Sequence, residues 1–245
     1  MTGVNWFSLD GIRSDLFGIM LTEPLPEIFP QRDADNISIP GKSGDLILDH
    51  GRYKNVVLIA KCAIIPEAGR DLRQAAQEAA CLLRPTGAYL RMADSYRQDL
   101  FRFARIAKEV TVESIVEQAG KFTVRFDCKP QRFLIIGESS VRLDAPEMLH
   151  NPTMFDAQPI ITVYGSGPGT LSVGGCVVQI KELADQITLD CERMDAYRQV
   201  GDGGTENKNG AIYAPEFPLL KTGDNLITWD GGIAAVKIVP RWWTL

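Results

Sequence analysis

The stretch Asn36–Asn55, NISIPGKSGDLILDHGRYKN, constrains the fold more than any other part of the chain, because it sets strand-like runs on both sides of a turn. Ile37 and Ile39 alternate with Ser38, Pro40 and Gly41 break the run, and Leu46, Leu48, Val56 and Leu58 resume the two-residue period beyond Gly44. A chain that alternates on both sides of such a break reverses direction, so a hairpin or corner is expected. Pro40 fixes its own φ and donates no backbone hydrogen bond, which suits a strand end, while Gly41 and Gly44 tolerate angles that side chains forbid.

Pro40, Gly41, Lys42 and Ser43 could also end a phosphate-binding loop of the form GxxxxGK[ST]. Asn36 stands where the first glycine of that loop belongs, and Asp45–Leu48 continue as a strand, not as the helix that aims its amides at phosphate.

The strand signal recurs along the chain. Val4–Leu21 reads as an edge strand, followed by an extended arm through Pro24, Pro26 and Pro30 to Arg32. Val56–Ile65 reads as a buried strand ending at Pro66. Over about residues 69–84, Leu72, Ala76, Ala79, Ala80 and Leu83 recur at helical spacing, and Pro85 with Gly87 stops the helix. Ala88–Met92, Leu100–Ala107, Val110–Ile115 and Lys121–Lys129 read as further strands, the last with Phe122, Val124, Phe126 and Cys128 on one face. Pro130–Asp144 crosses to a second half, with strands at Ile160–Tyr164, Thr170–Val173, Val177–Ile180, Gln186–Asp190, Asn225–Trp229 and Ala234–Val239. The regular spacing suggests a sandwich, with Gly165–Gly169 as a hairpin turn.

Composition narrows the function. At 245 residues, 45% hydrophobic and 23% charged, the chain is that of a globular protein with room for one large or two ordinary domains. A net charge of -5 without blocks of like charge argues against a general or sequence-specific nucleic-acid binder. Cys62, Cys81, Cys128, Cys176 and Cys191 are widely spaced and lack a CxxC pair, which predicts buried, reduced thiols in a chain made in the cytosol. There is no secretory leader pattern and no run of about 18 apolar residues, so no membrane span is expected.

For catalysis, His50 and His150 are the only neutral-pH bases, and neither lies in a motif that supplies a nucleophile or metal. GxSxG, HExxH and EF-hand patterns are missing from the sequence, Asp185 and Asp190 read as solvated strand ends, and no enzyme activity, cofactor or metal is expected. His150, Asn151 and Pro152 faintly match galectin sugar contacts, with Thr153 where an arginine would follow.

Ile39, Pro40, Gly41, Lys42 and Gly44, followed by Gly51, Tyr53 and Asn55, resemble the IPG(R/K)xG turn and GxYxN segment of the distal tail proteins of long-tailed (siphovirus-type) bacteriophages and prophages. Asn151, Pro152, Thr153, Phe155, Pro159, Ile160 and Val163–Gly167 resemble the start of that family's second domain. Ala196, Tyr197, Asn207–Asn209, Phe217, Pro218 and Pro240–Trp243 follow in order. The resemblance covers nearly the whole chain and implies a mainly β protein. Residues 1–135 would form a β-rich, ring-forming domain with one α-helix, and residues 136–245 a galectin-like β-sandwich.

It also implies a structural role: a hexameric ring of this chain at the virion tail tip, assembled in the bacterial host cytoplasm. The ring would join the tail tube protein to the tail-associated hub protein and let DNA pass. Ile39, Pro40, Gly41, Lys42 and Gly44 would meet neighbouring subunits. The adjacent Trp242 and Trp243 should face opposite sides of a strand, one in the core and the other against the first domain or a neighbouring subunit. Lys42 stands where arginine is commoner, and the second domain carries no inserted module, which leaves contact with a receptor-binding protein open. The alternative is a carbohydrate-binding module for host-surface polysaccharide, with Trp229 stacking a sugar on its indole face.

Overall fold

Phe122, Val124, Phe126 and Cys128 alternate with Lys121, Thr123, Arg125 and Asp127, and the first set is buried while the second is not. That alternation puts one face of a long strand in the core and leaves the other to solvent. The computed structural model describes residues 4–66, 71–111, 113–116, 119–201 and 203–245. It separates into two compact units, residues 1–132 with Leu245, and residues 133–244.

The first unit contains β1 (Phe7–Leu9), β2 (Ile12–Arg13), β3 (Ile19–Leu21), β4 (Arg32–Ser38), β5 (Asp45–Tyr53) and β6 (Val56–Ile64). Helix α1 (Leu72–Leu83), β7 (Leu90–Asp94), β8 (Leu100–Ile106), β9 (Glu113–Val116) and β10 (Ala119–Leu134) follow. The main sheet runs β2-β1-β7-β8-β10-β6-β3, with β9 pairing β10 off that path, and β4 and β5 form a separate sheet of their own. Val4–Leu21, expected as one edge strand, is divided by turns so that β2 and β3 close opposite ends of the sheet. β10 runs antiparallel to β6 from Gly120 opposite Ile64 to Cys128 opposite Val56.

β6 corrects its expectation. Val56, Leu58, Ala60, Cys62 and Ile64 are buried, but Val57 and Ile59 are 56% and 37% exposed, so an apolar run belongs here to a one-sided strand. Helix α1 starts where Asp71 accepts a 2.7 Å hydrogen bond from the Gln74 N–H, which satisfies one of the unpaired donors of the first turn. It ends at Arg84, whose extended backbone is what the following Pro85 favours. The expected helix included residues 69 and 70, which lie outside the described residues. Its buried stripe is Leu72, Ala75, Ala79, Leu82 and Leu83, so the stripe is turned from the expected one, with Ala76 half-buried and Ala80 exposed. The strand expected at Val110–Ile115 is described as β9, and residue 112 lies outside the described residues.

The second unit contains β11 (Val141–Leu143), β12 (Glu147–Asn151), β13 (Ile160–Ser166), β14 (Gly169–Val173), β15 (Cys176–Ile180) and β16 (Ala184–Asp190). After them come β17 (Asp195–Val200), β18 (Gly204–Asn207), β19 (Ile212–Tyr213), β20 (Gly223–Trp229), β21 (Ile233–Val239) and β22 (Trp243–Thr244). One sheet is β11-β21-β13-β16-β17-β18 and the other β12-β20-β14-β15-β19. Ile161, Val163, Ile187, Leu189 and Val236 from the first meet Leu171, Val173, Val178, Ile180 and Ile227 from the second in one core. This is a β-sandwich.

Gly165–Gly169 is a crossover between the sheets, not a hairpin turn, since β13 pairs β16 and β21 while β14 pairs β15 and β20. Asp190 is also corrected. It is 4% exposed, accepts the Arg241 guanidinium at 2.9 Å and caps the turn at the Glu192 N–H, so it is a paired strand end rather than a solvated one. No helix of the described residues is long and apolar enough to cross a membrane.

The cysteines split. Cys62, Cys128 and Cys191 are buried, but Cys81 is exposed and Cys176 half-buried. Desolvation pushes Cys62 and Cys191 up to about 12 and Cys128 to about 11, where the thiolate is scarce at neutral pH. Iodoacetamide at pH 8 should therefore label Cys81 first in the native protein and the buried three only in denaturant. Native labelling of Cys62 ahead of Cys81, read by peptide mass, would contradict this burial.

Candidate subunit interface

The hairpin β4–β5 stands on its own residues. Ser38 pairs with Asp45, Ile37 with Leu46, Asn36 with Ile47, Asp35 with Leu48 and Ala34 with Asp49. Side chains of paired residues share a face, and successive pairs alternate. One face therefore carries Ile37, Leu46 and Leu48 with Asp35, and the other carries Ser38, Asp45, Asn36, Ala34 and Asp49 with Ile47 alone. Both faces are open: Ile37, Leu46, Ile47 and Leu48 are 45%, 53%, 67% and 51% exposed.

The connecting loop brings Ile39, Pro40, Gly41, Lys42 and Gly44 together at the tip. The Ile39 carbonyl accepts the Lys42 N–H at 3.1 Å, and Gly41 has φ 77°. That is a type II turn, with proline at its second position and the glycine that its left-handed third position demands. Gly44, at φ 86°, returns the chain into β5. Lys42 thus lies between two strands and does not open a helix.

Ion pairs hold the root. Arg32 Nε donates to Asp49 at 2.9 Å while its guanidinium lies 4.8 Å from the Tyr53 ring centre. Asp49 is held below the usual carboxylate range first by the Gly51 N–H and then by Arg32. Asp33 accepts Arg52 at 2.7 Å, and His50 Nε2 lies 3.0 Å from Asp35. Asn55 Nδ2 donates to Asp127 at 2.9 Å and to the Tyr89 hydroxyl, which ties the end of the hairpin to the main sheet. The Gly51, Tyr53 and Asn55 segment thereby serves as the foot of the arm. Two strands alone are marginal in water, and this arm offers apolar surface that its own unit does not cover.

The tryptophans expected at an interface lie in the second unit. Trp242 is 5% exposed within the sandwich core, and its carbonyl accepts the Leu134 N–H at 2.8 Å. Trp243 is half-buried, stacks on Phe155 at 4.4 Å between ring centres and donates Nε1 to the Asp156 carbonyl at 2.9 Å. Arg241, at φ 57°, turns the chain between Val239 and Trp242, so that Trp242 takes the core position and Trp243 the half-buried one. Both rings thus pack within one unit.

Trp229 pairs with Leu171, which is fully buried, so its indole leans toward the inner side of the sandwich and packs on the core. Asn151 is 1% exposed and spends its amide on the Phe155 and Leu220 carbonyls and on the Thr153 N–H, which makes it the keystone of the Asn151–Phe155 turn. His150 pairs with Asp224 at 2.7 Å on the surface. Among the described residues neither histidine is hydrogen-bonded to a Ser, Thr or Cys side chain, and no group of three or more His, Cys, Asp or Glu is placed to hold a metal.

The amphipathic side of the hairpin, Ile37, Leu46 and Leu48 with Asp35, was not foreseen as a site. The alternation that reveals it is visible in the sequence, but alternation ordinarily means a buried face, and here it means an open one.

No family model matches the chain, and no curated protein does. Among solved structures, it is similar to the crystal structure of the SPP1 Dit (gp 19.1) protein, described as a paradigm of the hub adsorption apparatus in phages infecting Gram-positive hosts. The TM-score is 0.74 at 13% identity, covering 99% of this chain and 100% of that one. The chain thus has the fold of that phage protein from end to end, and at the level of fold the resemblance read from the sequence blocks is borne out.

Proposed function

We propose that this chain is a structural component of a phage tail tip, closing into a ring of six copies that joins the tail tube protein to the tail-associated hub protein and lets DNA pass. The observation that carries the reading is the end-to-end likeness to a protein described as part of a hub adsorption apparatus. The exposed hairpin supports it, because a heterologous contact repeated around an axis closes a ring, and an uncovered apolar arm is the surface such a contact needs. In this reading the tip, Ile39–Gly44, reaches the neighbouring subunit, the first unit forms the ring, and the particle is assembled in the bacterial host cytoplasm.

Light scattering on the purified chain, alone and with tail-tube and hub proteins, tests the reading. The expected species is six times the mass of one chain. A monomer at tens of micromolar that ignores both partners overturns it. Leu46→Asp with Leu48→Asp should abolish the ring while changing the unfolding free energy of the single chain by no more than exposed substitutions do, roughly 0.5 kcal/mol each.

A further inference from the structure

The open face of β6 presents an unusual patch, Val57 and Ile59 exposed in the middle of a sheet. The register places Asp127 beside Val57, Arg125 beside Ile59, and Thr123 beside Lys61 on the neighbouring strand β10. A shallow groove of about 430 Å³ continues this face past Lys61, Lys121 and Thr123. Lys61 is paired with Glu23 and Asp127 with Arg105, whereas among the described residues Arg125 has no ion-pair partner. Among the described residues Lys121, further along the same face, has no ion-pair partner either, so the face combines a small apolar centre with uncompensated positive charge at Arg125 and Lys121.

The hairpin carries the matching pattern. Its apolar side has Ile37, Leu46 and Leu48, with Asp35 beside Leu48, and among the described residues no lysine or arginine pairs with Asp35, whose one ion-pair contact is the His50 ring at 3.0 Å. β5 and β6 are each 9 residues long, so the two surfaces also match in length.

We propose, on the ring reading, that the apolar side of the β4–β5 hairpin of one copy lies across the outer β6–β10 face of a second copy. Leu46 and Leu48 then cover Val57 and Ile59, and Asp35 meets Arg125. The contact is head to tail: each copy gives a hairpin and receives one. That polarity is what a closed ring requires, whereas a reciprocal exchange would stop at two copies.

Cross-linking of the full chain tests the geometry. In a Cys81→Ser, Cys176→Ser background, Leu48→Cys is combined with Val57→Cys or with Ile59→Cys, which together span one two-residue repeat of register. Mild oxidation should give a ladder extending beyond dimer on a non-reducing gel, and a thiol reductant should collapse it. Ile47→Cys with Val57→Cys, on the opposite side of the hairpin, should give none.

A second arm uses charge. Arg125→Glu should lose the assembled species by light scattering, and Asp35→Lys added to it should restore that species. If the wild type stays monomeric with and without its partners, the ring reading falls and this contact with it. If the wild type assembles but neither cysteine pair gives a ladder and the charge reversal has no effect, this inference alone falls. A ladder that stops at dimer, or an equal ladder from Ile47→Cys, likewise overturns the head-to-tail contact while leaving the ring intact.

Discussion

Trp242→Ala should lower the stability of the second unit by about 3–5 kcal/mol, the range for emptying a buried aromatic site, and Trp243→Ala by much less. Trp242 is 5% exposed, and its removal takes out the largest side chain at that end of the core. The site cannot relax by moving the chain inward, because a Cβ on Gly137 would already lie 2.5 Å from the Trp242 nitrogen. Backbone of the two segments is in contact there, tied by the Leu134 N–H to the Trp242 carbonyl at 2.8 Å and the Arg241 N–H to the Gly137 carbonyl at 2.8 Å. The hole therefore stays a hole. Trp243 is half-buried and loses its stack on Phe155, about 0.5–1.5 kcal/mol beyond area, with one hydrogen bond to a carbonyl that solvent can replace. Urea unfolding of the full chain, followed by hydrogen exchange in residues 133–244, separates the two variants. Equal losses for both would mean that Trp242 is not the buried member of the pair.

Much of this fold was legible because strands with one wet face print their period in the sequence. Phe122, Val124, Phe126 and Cys128 were readable as a core face, and the Pro40–Gly41 turn as a reversal, since each depends on only a few neighbouring residues. What the sequence hid was non-local. Val57 and Ile59 look like core in a run as apolar as Val56–Ile64, and nothing within the run says that one side has no partner. Strands β11, β12, β17, β18 and β19 were missed, being short or rich in polar residues such as Gln199, Glu206 and Asn207. Pairing with longer neighbours overrides their weak propensity. At the candidate interface the tip residues were visible through their turn chemistry. The apolar side beneath them was visible only as alternation, whose exposure is a fact of the whole fold. Alternation said that only one of the two tryptophans after Pro240 fills the core, but which of them does so depends on the left-handed Arg241 just before them and on Phe155, far away in sequence.

Gly232→Ala should be as damaging as losing a core tryptophan, although it adds only a methyl group. Of the passages the chain makes between the two sheets of the second unit, those from β13 to β14 and from β20 to β21 run against each other. The Ser166 N–H donates to the Gly232 carbonyl at 2.9 Å and the Gly232 N–H to the Pro168 carbonyl at 2.7 Å. Backbones held this close leave no space for side chains: a Cβ on Gly232 would sit 2.0 Å from the Ser166 oxygen, and one on Gly165 would sit 2.0 Å from the Gly232 oxygen. Neither obstacle is a flexible side chain that could swing away. The passages must part, which strains both crossovers and breaks the two hydrogen bonds, so the combined cost is roughly 3–5 kcal/mol. That is a large share of the 5–15 kcal/mol that typically separates a folded domain from its unfolded chain. Gly210 supplies the control, since a Cβ there meets nothing within 4 Å and its φ is not positive. Gly210→Ala should melt with the wild type, whereas Gly232→Ala and Gly165→Ala should each unfold the second unit at markedly lower urea. If Gly232→Ala unfolds alongside Gly210→Ala, the two crossovers are not stitched together in this way and the order of strands in the sandwich must be different.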